Sequence, residues 1–164
     1  MEIKCPYFNL CGGCNKLDIP YEEEIKEKEL ELTDSALEQL DILTSAIDEI
    51  LDLSLQAYKD YDLDIAYKIE PLEQVIDEMK EKMRSQHIYR LQKGNCSIEA
   101  GFVWSDLLTN LERTSDHCSN IAGELIDKAH DTMNIHESIR NIRATDGQYK
   151  DMYEAYVEKY GTFI

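Results

Sequence analysis

Apolar positions along the chain fall into three long helical stripes and one short one. Leu37, Leu40, Leu43, Ile47, Ile50, Leu51 and Leu55 recur every three or four residues. That spacing lines one face of an α-helix. Ser35 followed three residues later by Glu38 is a capping-box pattern and predicts the helix start. Its end is expected near Asp60–Asp62. A second stripe, Ile65, Ile69, Leu72, Ile76, Met79 and Met83, predicts a helix from about Leu63 to Lys93. Gly94 is a natural C-cap for it. Pro71 lies inside this stripe and removes one backbone hydrogen bond, so a kink or a break is expected there. The third stripe is Trp104, Leu107, Leu108, Leu111, Ser115, Cys118, Ala122, Leu125 and Ile126. Ser97 is its expected N-cap, and it should reach about His130. Trp104 and Cys118, both on the stripe, are expected in the core. After Gly147 a last short helix carries Tyr149, Tyr153, Tyr156 and Tyr160 on one side, which reads as a packing face.

Three long segments with short connections predict an all-α fold, an antiparallel three-helix bundle. Residues 1–32 read as a Cys-rich leader and linker, with Tyr21–Leu32 an exposed acidic helix or linker. Residues 33–164 read as the bundle with its C-terminal helix. Composition agrees, since 7 Gly and 3 Pro in 164 residues leave few helix breakers. Charge narrows the partners. Asp plus Glu is 34 against 17 Lys plus Arg, a formal net charge of −17. Such a chain is repelled by nucleic-acid backbones and anionic membrane surfaces, so no direct nucleic-acid binding is expected. No apolar run approaches the roughly 18 residues of a membrane helix. The opening MEIKCPYFNLCGGC lacks the apolar core of a secretory signal. A cytoplasmic location is expected, with membranes reached only through a partner. No Ser/His/Asp set and no phosphate-cradling Gly loop is readable, so no enzymatic activity is expected.

Two constellations could carry chemistry. Glu112 and Asp116 are four residues apart on the third helix, and Glu73 and Asp77 repeat the spacing on the second. Each pair projects from one side of its helix, beside the apolar stripe. Four carboxylates between neighbouring helices suit a hard cation. Acid pairs at this spacing are also common on solvated helix faces, and both readings stand on pattern alone. The second constellation is Cys5, Cys11 and Cys14, with Gly12 and Gly13 between the last two. Three close thiolates can ligate an iron–sulfur cluster or zinc, given a fourth ligand; the alternative is a leader that binds nothing. His87, His130 and His136 are scattered without ligand spacing, and His117 points off the apolar stripe.

The run from Ser105 to Ala122 contains Glu112-Arg113-x-x-Asp116-His117-x-x-Asn120-Ile121. Together with Asp62–Asp77 it resembles the PhoU domain of phosphate-uptake regulators. The likeness covers about residues 33–160 and extends to the cytoplasmic PhoU-like tail of Na/Pi-cotransporter-type membrane proteins. It implies a three-helix bundle, metal at Glu73, Asp77, Glu112 and Asp116 (iron, manganese, zinc or magnesium), and Asn120 as a supporting residue. It also implies a role in governing phosphate transport, by docking on a phosphate transporter or its regulatory kinase. Self-association is expected, because better-known members carry two bundles in tandem and this chain has room for one. Residues 3–28, with Cys5-Pro6-Tyr7-Phe8-x-x-Cys11-Gly12-Gly13-Cys14, resemble the iron–sulfur segment of TrmA/RumA-type RNA uracil-5-methyltransferases. That implies a 4Fe–4S cluster at Cys5, Cys11 and Cys14. The chain has no Gly-rich strand–helix unit for the methyl donor. A methyltransferase fragment without its catalytic domain and a plain helical interaction domain are the competing readings.

Overall fold

A computed structural model describes residues 32–130 and 147–161. They form α1 (Asp34–Asp60), α2 (Leu63–Gln92), α3 (Ile98–His130) and α4 (Gly147–Tyr160). Leu32–Ile164 is one compact unit. Helices α1, α2 and α3 pack pairwise on one another, and α4 lies mainly along α2. The cross-helix contacts set an antiparallel register: Gln39 meets Gln86, Glu70 meets Ser119, and Lys80 meets Glu112.

The helix ends follow local chemistry. Thr33 caps α1, its hydroxyl accepting from the Ala36 N–H at 3.3 Å. The expected start at Ser35 is therefore two residues late, because Asp34 and Ser35 are already helical. At the other end of α1, Tyr61 is left-handed at φ 54°. That is an unfavourable conformation for a side chain with a Cβ. The Asp62 N–H bonded to the Ala57 carbonyl at 3.2 Å and Lys128 over the Tyr61 ring at 5.2 Å help hold it. Gly94, at φ 71°, ends α2. The Asn95 N–H reaches the Arg90 carbonyl and the Gly94 N–H reaches the Leu91 carbonyl, each at 3.0 Å. Those two bonds make the Schellman closure, which a glycine accommodates without a steric penalty. Ser97 caps α3 as expected, accepting from the Ala100 N–H at 3.0 Å.

The core departs from the stripe of α1 in one respect. Its buried face is Ala36, Leu43, Ala46, Ile47, Ile50, Ser54 and Ala57. Leu37, Leu51 and Leu55, counted in the stripe, are 45%, 42% and 51% exposed. Leu51 and Leu55 line an open groove on α1 and α3, while small residues occupy the inner side of α1. The second and third stripes are buried largely as read, with Trp104 and Cys118 in the core. The expected interruption at Pro71 does not occur. Helix α2 continues from Leu63 to Gln92 through a fully buried Pro71, so packing offsets the lost hydrogen bond. The tyrosines of α4 turn inward: Tyr149 and Tyr160 are buried, and Tyr153 and Tyr156 pack against the core. Tyr153 donates to Glu78 at 2.7 Å and Tyr149 to Gln74, both on α2, while Tyr160 donates to Glu49 on α1. Burial, then the Glu78 carboxylate, pushes the Tyr153 phenol up to about 12. The stripe thus packs into the bundle itself.

The described core runs from Ala36 to Tyr160. A chain lacking residues 1–30 is accordingly expected to keep helical circular dichroism and a cooperative melt. A molten product would make the deleted segment structural.

Candidate functional site

The acidic face is built where α2 and α3 run side by side. In the antiparallel register Glu73 stands level with Asp116, and Asp77 with Glu112. All four are half-buried, and Asn120 is exposed. Between Asp77 and Glu112 lies a residue that the motif reading missed. The Lys80 ammonium is 2.9 Å from Glu112 Oε1, 3.4 Å from Asp77 Oδ1 and 3.6 Å from Glu81 Oε1. The side chains of Lys80 and Glu112 are only 15% and 18% exposed. Burial by itself would push the lysine pKa down. The hydrogen bond and charge of Glu112, then those of Asp77, outweigh it, and the pKa sits above its ordinary value. The link to Asp77 was visible as an i,i+3 spacing. The link to Glu112 depends on helix register, which no local pattern carries.

This geometry tests whether the set suits a metal ion. The ammonium takes a position between the helices that a cation would use, and it meets one carboxylate from each. Among the described residues, no three His, Cys, Asp or Glu side chains gather as a ligand set. As folded, the face suits the cation it already contains, and a divalent ion would have to displace it. Cys5, Cys11, Cys14 and His136 lie outside the described residues.

Deeper between the same helices, the Ser119 hydroxyl donates to the buried carboxylate of Glu70. A paired buried carboxylate fixes the register of α2 on α3 more narrowly than aliphatic packing does. Its only sequence signal was an acid inside an apolar face, beside Ile69. The remaining histidines divide by environment. His117 is exposed. His130 Nε2 lies 2.9 Å from the Tyr67 hydroxyl, and His87 is buried at the α2–α3 turn.

An all-helical bundle with facing acid pairs on its second and third helices is the class that this fold and face define. The chain belongs to the PhoU domain family, whose domain matches residues 40–125. It is 31% identical over 116 residues to the phosphate-specific transport system accessory protein PhoU homolog 1 of Thermotoga maritima, covering 71% of this chain and 47% of that protein. A shorter match, 50% identical over 32 residues, is to an uncharacterized RNA methyltransferase of Clostridium tetani, 20% of this chain and 7% of that one. The chain thus spans less than half of either curated relative. No solved structure gives a significant match.

Proposed function

We propose that the chain is a regulatory module of phosphate transport that acts by docking on another protein, a phosphate transporter or its regulatory kinase. The observation that carries this reading is the family match, which extends over all three long helices and both acid pairs. The name of the Thermotoga relative, an accessory protein of a phosphate-specific transport system, supplies the process. Docking is favoured by an apolar groove of about 320 Å³ on α1 and α3, where Leu51, Leu55, Tyr58 and Ile121 are exposed. Among the described residues, no helix is long and apolar enough to cross a membrane. No catalytic step is part of this role.

Uptake of labelled phosphate tests it. In cells lacking the chain, uptake under phosphate-replete growth should escape control, and the full chain should restore control. Leu55→Glu, a change at an exposed position, should fail to restore it while folding normally. Unchanged uptake in the deletion strain rejects the proposal.

A second reading concerns the leader. The short methyltransferase match lends weak support to an iron–sulfur or zinc site at Cys5, Cys11 and Cys14. Iron and sulfide analysis of anaerobically purified protein decides it, with a Cys11→Ser, Cys14→Ser variant as the blank.

A further inference from the structure

The α2–α3 turn contains three buried nitrogen atoms without a hydrogen-bond partner: His87 Nε2, Arg90 Nη2 and Trp104 Nε1. Their residues are 6%, 9% and 1% exposed. Buried donors are almost always paired, so three orphans in one layer call for an explanation. The three side chains are neighbours. The His87 and Trp104 rings lie 6.1 Å apart at 29°, and the Arg90 guanidinium stands 5.7 Å from the centre of the Trp104 ring.

A cavity of about 300 Å³ opens beside them. His87, Trp104, Arg84 and Ser105 line it, with the exposed side chains of Ile88 and Phe102 on its walls. Gly101 forms part of the lining. A Cβ at that position would stand 2.8 Å from His87 Nε2, so the imidazole can keep its place only because residue 101 lacks a side chain. The other ring nitrogen, Nδ1, is 4.0 Å from the Cys96 sulfur. A thiol donating there leaves the imidazole proton on Nε2, the nitrogen beside Gly101. Burial, then the charge of Arg90, pushes the His87 pKa down, which keeps the ring neutral at pH 7.

The electrostatics of this corner oppose those of the whole chain. In a protein of net charge −17, it gathers Arg84, Arg90 and the N-terminal end of α3, which adds partial positive charge. The acid in that first turn, Glu99, is exposed.

We propose that this cavity binds a carboxylate carried on an apolar body. The carboxylate accepts from His87 Nε2 and Trp104 Nε1, Arg84 and Arg90 supply the countercharge, and the apolar body lies against Ile88 and Phe102. A free inorganic anion fits less well, since mostly aliphatic and aromatic walls would replace its hydration shell. Two sources offer this chemistry: a small organic acid, or the C-terminal carboxylate of a peptide ending in an apolar residue.

Trp104 is the single tryptophan, so its indole N–H resonance in the full-length ¹⁵N-labelled protein reports on this site alone. Hexanoate, an acetylated peptide ending in leucine carboxylate, its C-terminal amide, hexanamide and inorganic phosphate are each titrated. A saturable shift with hexanoate assigns the site to small acids. A shift with the peptide acid and none with hexanoate assigns it to a chain terminus. Either supports the proposal, provided that both amides fail. Gly101→Ala, which crowds His87, should weaken binding at least tenfold. Arg84→Gln, at an exposed position unrelated to folding, should weaken it about threefold to tenfold. The proposal is overturned by no saturable shift with either acid, by equal response to the amides, by phosphate binding as tightly as the acids, or by Arg84→Gln leaving affinity unchanged.

Discussion

Replacing Trp104 with alanine is expected to cost about 3–5 kcal/mol of folding stability. The side chain is fully buried between α2 and α3 and is the largest residue of the core. Its removal leaves a cavity in a close-packed interior that relaxes only in part. It also removes the ring that Arg90 stands over and the ring stacked on His87. The Arg90 guanidinium then stays buried without its aromatic contact, which adds to the cost. For a bundle of this size, a loss of that order lowers the melting temperature by roughly 10 °C or more. Trp104→Phe keeps most of the volume and should recover more than half of the loss. Thermal melts followed at 222 nm measure both. A loss below about 1 kcal/mol for the alanine variant would mean that the α2–α3 interface is looser than its burial indicates.

Trp104 also illustrates what could be read from the sequence. Its place on a stripe with Leu108, Ser115 and Cys118 is set by the helical repeat, and a repeat is a local property. The three long helices, the Gly94 closure and the Ser97 cap were legible for the same reason. The α1 stripe was overread because Leu51 and Leu55 match the spacing as well as Ile47 and Ile50 do. Which edge of a wide apolar face is covered depends on where the neighbouring helices stand. The small residues Ala46, Ser54 and Ala57 decided that, and an apolarity count gives them little weight. Pro71 was overread in the opposite sense, since the cost of one missing hydrogen bond is visible locally and the packing that offsets it is not. The acid pairs were legible as pairs. Lys80 was not legible as their partner, because its contact with Glu112 crosses between helices and depends on register.

Substituting Lys80 by methionine should make the stability of this face respond more strongly to divalent cations than it does in the unmodified chain. Methionine keeps an apolar stem of similar length and removes the ammonium group, its charge and its hydrogen-bond donors together. Asp77 and Glu112 then face each other without the ammonium that lies 3.4 Å and 2.9 Å from them. An exposed ion pair contributes about 0–1 kcal/mol, and breaking a fully buried one costs about 3–5 kcal/mol. Lys80 and Glu112 are mostly covered while Asp77 is half exposed, so a loss of roughly 1–3 kcal/mol is expected at pH 7 and low salt. The lysine pKa is raised in the folded state. Its contribution is therefore complete below the ordinary lysine value of 10.5 and disappears only as pH climbs through the raised one. Between pH 6 and 9 the lysine itself adds no pH dependence to the difference between the two proteins. Manganese or magnesium added to Lys80→Met can then occupy the position vacated between Asp77 and Glu112. A cation that binds only the folded state adds about 2.7 kcal/mol at a hundredfold excess over its Kd. The melting temperature of the variant should rise by several degrees, while that of the unmodified chain moves far less, because there the ion must first expel the ammonium. Adding Glu112→Gln and Asp116→Asn to the variant should abolish the rise. An equal rise in the unmodified chain would show that Lys80 does not compete with the ion. The binding site would then lie away from this face, and the thiolates of Cys5, Cys11 and Cys14 would be the first place to look.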